Sequence, residues 1–336
     1  MAFNFRSGLA VLSALALLAF TSCSKKEESA EAGGLTIAVI PKGTTHEFWK
    51  SIHAGAVKAQ RELEAQGTKV NLIWKGPLRE DDRDQQIQVV ENFIGRKVSV
   101  IVLAPLDSQA LVAPVEQAMA NKIPVVIIDS GLKSDKYVSF VATDNFNGGV
   151  MGGAYLAQSL GGNGRVILLR YQVGSASTEE REAGFLQAVK MFPGIQILSS
   201  DIYTGATRES AYQAAQNVLN RFGKEVDGLF APCEPVTIGI DLALKDLGRA
   251  GAVKLVGFDA GAQSVEALKA GRVHALIVQN PVRMGYQGVM SAVQHLQGKP
   301  VEKRINTGVA LVTKENMDLP IINELLNPPL NQYLAE

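Results

Sequence analysis

Chemistry-bearing side chains recur just past the apolar runs of this chain. Lys42, His46, Phe48 and Trp49 follow "LTIAVI", Asp129 follows "PVVII", and Asp144 and Asn145 follow "VSFVAT". Arg181 stands in "STEERE", Cys233 and Glu234 come after "LFAP", Phe258 and Asp259 close "KLVGFD", and Gln279 closes "HALIVQ". A carboxylate accepts hydrogen bonds from neighbouring hydroxyls, arginine donates a planar fork, and an aromatic face covers the C–H side of a sugar ring. Taken singly, each residue has an ordinary explanation as a helix cap, a turn polar or a core aromatic. Their recurrence at one end of many runs, in both halves of the chain, points to one shared cleft suited to a sugar or polyol.

Other chemistries lack their residues. "HEFWKSIH" falls short of a zinc helix, because H-E-x-x-H needs its second histidine where Lys50 stands, and His53 is a full seven positions from His46. "GGVMGG" and "LGGNGR" sit within or after helical patterns, whereas a phosphate cradle follows a strand and opens a helix. No G-x-S-x-G nucleophile turn is present. Neither a catalytic residue, a cofactor nor a metal is expected.

The elements that must position these residues alternate. Ten short β-branched runs, "LTIAVI", "KVNLIW", "SVIVLA", "PVVIID", "VSFVA", "RVILLR", "IQILSS", "GLFA", "KLVGF" and "HALIVQ", are separated by amphipathic stretches such as "FWKSIHAGAVKAQRELEAQG". Continuous apolar runs of this kind belong to parallel strands covered on both faces. Ten strands exceed an ordinary sheet, so the expected class is α/β with two doubly wound Rossmann-like lobes, and ligands sit beyond the carboxyl ends of the strands.

The 336 residues carry 33 basic and 33 acidic side chains, so no basic field is available for nucleic acid. Residues 1–22 have the form of an export leader: Arg6, then the uncharged run Leu9 to Phe20, then "FTSC". "FTSC" resembles a lipoprotein cleavage box, with Phe20 where leucine is usual, and this makes Cys23 the expected lipidation site. Residues 23–34, polar and glycine-ended, form a tether. Only Cys23 and Cys233 are present, so lipidation leaves no partner for a disulfide.

From Leu35 to Val312 the chain resembles the periplasmic sugar-binding proteins of ABC importers, of the ribose-binding type, also called type I periplasmic binding proteins. The resemblance rests on "HEFWKSIHAGA", "IPVVIIDSG", "FVATDNFNGG", "SASTEEREAGFLQAV", "KLVGFDA" and "IVQNP". It implies ligand-binding roles for the aromatic pair Phe48 and Trp49, for Asp129, Arg181, Asp259 behind Phe258, and Gln279. His46, Ala104 and Cys233 stand where the ribose binder has asparagines, and Ser130 replaces an arginine. "IPK" and "WKGP" look more like the rhamnose and autoinducer branch, in which a lysine touches the ligand, hence Lys42.

The resemblance also implies three crossings between lobes, near Ala142, Gln279 to Pro281 and Gly308 to Leu311. The N-terminal lobe is then 35–142 plus 280–309, and the C-terminal lobe 143–279 plus 310–330. A monomer, closing like a hinge on its sugar and docking on an importer permease, would be held at the membrane on the periplasmic side only by its lipid. Two other readings are the sensor half of a lactose-repressor-like regulator, which would carry a DNA-binding segment before the first strand, and a small hydrolase, which would need a nucleophile with a base in reach. On the sequence alone, Asp129 and Arg181 are expected to serve the ligand more than the fold.

Overall fold

A computed structural model of the chain describes residues 34–334. The leader, Cys23 and all of the tether but Gly34 lie outside the described residues.

The first half runs β1 (Leu35–Ile40), α1 (Glu47–Ala65), β2 (Val70–Trp74), α2 (Arg83–Gly95), β3 (Val100–Leu103), α3 (Val112–Ala120), β4 (Val125–Ile128) and β5 (Ser139–Ala142). The second repeats the alternation: α4 (Asn145–Ser159), β6 (Asn163–Arg170), α5 (Ala176–Val189), β7 (Gly194–Tyr203), α6 (Arg208–Phe222), β8 (Gly228–Phe230), α7 (Glu234–Asp246), β9 (Lys254–Phe258), α8 (Ala262–Lys269) and β10 (Ala275–Gln279). The chain closes with α9 (Pro281–Leu296), β11 (Arg304–Asn306), β12 (Val309–Val312) and α10 (Pro320–Leu326).

Two six-stranded sheets result, ordered β2-β1-β3-β4-β5-β11 and β7-β6-β8-β9-β10-β12. Both begin with the same doubly wound pattern, so β4 and β9 are equivalent strands. All pairings are parallel except β12 against β10. The apolar runs behave as buried parallel strands should: β3, β4 and β5 are buried along their whole length.

Helices cover both faces of each sheet. The stripe Trp49, Ile52, Ala56, Ala59 and Leu63 turns α1 onto one face of the first sheet beside Met284 and Val289 of α9. Phe93 of α2 and Val115 of α3 cover the other face. In the second lobe α4 and α5 cross so closely at Gly149 and Gly184 that a Cβ on either would strike the opposing backbone, at Arg181 O and Phe146 O respectively. That contact fixes the height at which Arg181 leaves α5.

The chain passes between sheets after β5, after β10 and between β11 and β12, as three crossings require. Two details differ from the sequence reading. Val309, expected to end the first lobe, already pairs with Gln279 in the second sheet. Beyond Pro329 the tail returns to the first lobe, where Arg61 donates to the carbonyls of Gln332 (2.6 Å) and Tyr333 (3.1 Å). Strands β11 and β12, only three and four residues long, were too short to be recognised from "RIN" and "VALV". Among the described residues no helix is long and apolar enough to cross a membrane.

Candidate functional site

The carboxyl ends of β1, β4, β6, β9 and β10 face one another across the junction of the lobes. Lys42 lies two residues beyond β1 and is 3% exposed. Its ammonium sits 3.1 Å from Asp129 Oδ2 and donates across the junction to Ser177 Oγ (3.0 Å) and Ser175 Oγ (3.3 Å). Three donors thus meet three acceptors, and the buried charge is paired and hydrogen-bonded as burial demands.

Asp129 and Asp259 hold the same place in the two lobes, each the first residue after its strand. Both are left-handed, with φ of 62° and 69°, a conformation that Asp tolerates better than most residues. Each anchors its backbone N–H on the neighbouring strand, Asp129 on Val141 O (3.0 Å) and Asp259 on Ile277 O (2.9 Å). The sharp left-handed step brings both carboxylates to the cleft.

Arg181 is held within its own lobe. Its Nε donates to Asn145 Oδ1 (2.9 Å), its Nη1 donates to Pro232 O (2.9 Å), and its guanidinium lies 4.0 Å from the centre of the Phe258 ring. Asp259 Oδ2 is 4.0 Å from Nη1, while Asp259 Oδ1 accepts from Gln279 Nε2 at 2.7 Å. Burial pushes the Asp259 carboxyl up, against the pull of Arg181 and the Gln279 donor.

A third group centres on Glu80, in the loop between β2 and α2. Its carboxylate accepts from His46 Nδ1 (2.6 Å), Trp49 Nε1 (2.8 Å) and, from the other lobe, Tyr171 Oη (2.9 Å). Burial works against the Glu80 charge, but the His46 hydrogen bond and charge, with Lys42 behind them, hold the carboxyl down at about 2. Burial also opposes a proton on His46, and Glu80 outweighs it, so the imidazole titrates above its ordinary value. The Tyr171 hydroxyl is pushed well up by burial and by Glu80, and so remains a donor.

Nine of the ten residues expected at a ligand site line one small cavity: Lys42, His46, Phe48, Trp49, Asp129, Arg181, Cys233, Asp259 and Gln279. Phe258 does not. It is fully buried in the second lobe's core and supports Arg181 from behind. Cys233 is the residue just before α7, only 8% exposed, and burial raises its thiol far above the ordinary range. Cys233 is therefore a buried, protonated thiol. Trp49 is 2% exposed, which leaves Phe48, set edge-on to it at 84°, as the more open ring.

Glu80, Tyr171, Ser177, Thr178 and Pro235 also line the cavity without having been singled out, and Glu234, named beside Cys233 in the sequence, lines it too. Glu80 was hidden in "REDDRD", a charge run that resembles a solvated turn. Tyr171 carried the same signal as the others, a lone polar aromatic just past an apolar run.

The cavity measures about 40 Å3, room for a few water-sized groups at roughly 10–15 Å3 each. A sugar ring enters only if the lobes part. Direct contacts now close them: besides the Lys42 and Glu80 bonds, Ser177 N donates to Ser130 Oγ (3.1 Å) and Ala262 N to Glu47 Oε2 (2.7 Å). A larger groove of about 1010 Å3, bordered by His53, Trp74 and Tyr333, meets the cavity at Phe48, Glu234, Asp259 and Gln279. The charged groups converge in the smaller space, which makes it the candidate site, with the wider groove opening beside it.

Residues 37–300 match the model of the periplasmic binding protein domain. The chain is 29% identical to the ribose import binding protein RbsB of Haemophilus influenzae, over 83% of this chain and 91% of that one. It is 31% identical to the D-ribose/D-allose-binding protein of Pseudomonas aeruginosa, over 82% and 88%. Among solved structures, an ABC transporter solute-binding protein from Agrobacterium vitis with bound D-fucose superimposes with a TM-score of 0.82 at 35% identity, covering 87% of this chain and all of that one. One from Agrobacterium radiobacter in complex with D-arabinose gives 0.83 at 32%, covering 88% and 100%. With a family match spanning most of its length and two lobes closing on a cleft of equivalent aspartates, the chain belongs to the periplasmic binding protein family.

Proposed function

We propose that this protein is the extracytoplasmic solute-binding component of an ABC importer, capturing a monosaccharide or related polyol between its lobes and presenting the closed form to a permease. The observation that carries this reading is the pairing of Asp129 and Asp259, delivered to one cleft from equivalent strands of both lobes. Carboxylates approaching from two sides grip neighbouring hydroxyls, and closure excludes the water that competes for them. The relatives named for ribose and allose, and the neighbours holding D-fucose and D-arabinose, support the same ligand class.

Binding and release are the whole of the task, with no bond made or broken. The protein acts as a monomer in the periplasm, tethered through lipid on Cys23. Metabolic labelling with a fatty acid should mark the wild type and spare Cys23→Ala; label on the variant, or on neither, rules the anchor out.

The central test is thermal shift followed by calorimetry with D-ribose, D-allose, D-fucose, D-arabinose, D-tagatose, xylitol and myo-inositol. A true ligand at a hundred times its Kd adds about 2.7 kcal/mol of stability. If neither a member of the set nor an amino sugar shifts the transition at millimolar concentration, the sugar reading falls.

A further inference from the structure

The second lobe's share of the cleft has an unusual balance of hydrogen-bonding groups. Gln279 gives its NH2 to Asp259, and its Oε1 is buried with no partner. Glu234 receives Arg208 Nη2 on Oε1 at 2.7 Å, and its Oε2 is likewise buried with no partner. Both residues are 2% exposed, both line the cavity, and both flank Asp259. Buried acceptors left empty cost free energy, so this pair calls for donors.

No nearby arginine bond reaches either empty acceptor: Arg181 gives Nε and Nη1 to Asn145 and Pro232, and Arg208 gives its donors to Gln263 and to the other oxygen of Glu234. All these bonds lie within one lobe, so opening and closing leave them in place. A ligand hydroxyl would bring one donor and two lone pairs into a corner dominated by acceptors. An ammonium brings three donors and no lone pair.

We infer that the corner formed by Glu234 Oε2, Gln279 Oε1 and Asp259 is a subsite for a primary amine, and that the physiological ligand is an amino sugar or amino polyol. This rests on the sugar-binding reading and narrows it. The amine enters from the side of the wider groove, which Glu234, Asp259 and Gln279 also border. Glu234 is then the specificity-determining residue, and Arg208 tempers its charge from outside.

The test is calorimetric titration of the full mature chain with three matched series: D-glucose, D-glucosamine and N-acetyl-D-glucosamine, and the corresponding galactose and mannose sets. The amine should bind at least tenfold more tightly than both the parent sugar and its N-acetyl form in one series or more. Glu234→Gln should reduce that preference to threefold or less. Arg208→Gln, which removes the donor to Glu234 Oε1 from outside the cavity, should widen it, and this decides the matter should Glu234→Gln not fold. A parent sugar that equals or beats its amine in every series overturns the amine subsite and leaves the sugar-binding reading standing. A preference unmoved by either variant overturns it too. If no sugar in any series binds, the amine subsite falls, and the panel of pentoses, deoxysugars and polyols decides the sugar-binding reading separately.

Discussion

Tyr171 of the second lobe donates its hydroxyl to Glu80 of the first at 2.9 Å, and Gln172 beside it donates to the Glu80 backbone carbonyl at the same distance. Glu80 is already oriented by His46 and Trp49 from its own lobe. Its carboxylate is thus saturated by protein donors and leaves little for a ligand. Glu80 is a clasp between lobes, whereas Asp129, Asp259 and Glu234 keep acceptor capacity for what the lobes enclose.

Removing the clasp should weaken the closed state selectively. Tyr171→Phe deletes one charge-assisted bond, worth about 1.5–3 kcal/mol when an ion is involved, and leaves Glu80 with two donors. Affinity for whichever sugar binds should fall about tenfold, mostly through faster release, with the ligand-free melting point within a few degrees of wild type. Stopped-flow release rates check this; an unchanged rate means that the clasp is absent from the bound form.

The same cluster shapes the pH profile of stability. His46 titrates above its ordinary 6.5 in the fold, so its contribution is complete below 6.5 and fades as pH rises through the folded value. Glu80, held at about 2 against an ordinary 4.5, contributes above 4.5 and loses that as pH falls towards 2. Burial raises Glu182 to about 7 despite the Tyr171 amide and Arg170, so the fold binds its proton more tightly and loses stability as pH climbs from 4.5 to 7. Urea midpoints should therefore peak near pH 5 and decline on both sides. Glu182→Gln should flatten the alkaline limb; a midpoint still rising from pH 5 to 7 in the wild type contradicts the assignment.

Much of this was legible in the sequence because buried parallel strands leave an unmistakable record. "PVVII" and "HALIVQ" are apolar along their strands, and the residue that follows the first, Asp129, and the one that closes the second, Gln279, could be named as cleft residues. What escaped was set by partners distant in sequence. Glu80 looks solvated in "REDDRD" and becomes buried only when Tyr171, 91 positions away, closes over it. Lys42 lines the cavity as expected, but its bonds to Ser175 and Ser177, 133 and 135 positions along the chain, could not be read from "IPK". Phe258 was placed correctly in the chain and on the wrong side of Arg181, because the run "KLVGF" does not reveal which face of β9 the ring takes.

Cys233 precedes α7 with extended φ and ψ of −161° and 169° but makes no side-chain capping bond. A serine hydroxyl at such a position accepts from the first turn's amides and typically adds about 1 kcal/mol. Cys233→Ser should raise the melting point by about 1–4 °C. In the wild type the thiol should react with a disulfide reagent only on unfolding. Rapid labelling of the native protein would show a looser cleft than the one described.

Asp129 and Arg181 line the cavity and also serve partners within their own lobes, so their substitution is expected to touch folding as well as binding. Asp129 neutralises Lys42 within the first lobe, and Arg181 satisfies Asn145 and Pro232 within the second. Truncating either strands a buried partner, which typically costs about 3–5 kcal/mol for a broken buried pair. Asp129→Ala also forces alanine into a left-handed backbone at φ 62°, a further cost. Both alanine variants should therefore melt well below wild type even without ligand. Asp129→Asn keeps the left-handed conformation and an acceptor for Lys42 while losing the charge, so it should recover part of the lost stability. Its affinity should still fall tenfold to a hundredfold, because one amide oxygen replaces two carboxylate oxygens at the ligand. Melting curves and calorimetry on the three variants decide the case. An alanine variant with a wild-type melting point would return these residues to a purely ligand-facing role, and an asparagine variant with wild-type affinity would remove Asp129 from the ligand altogether.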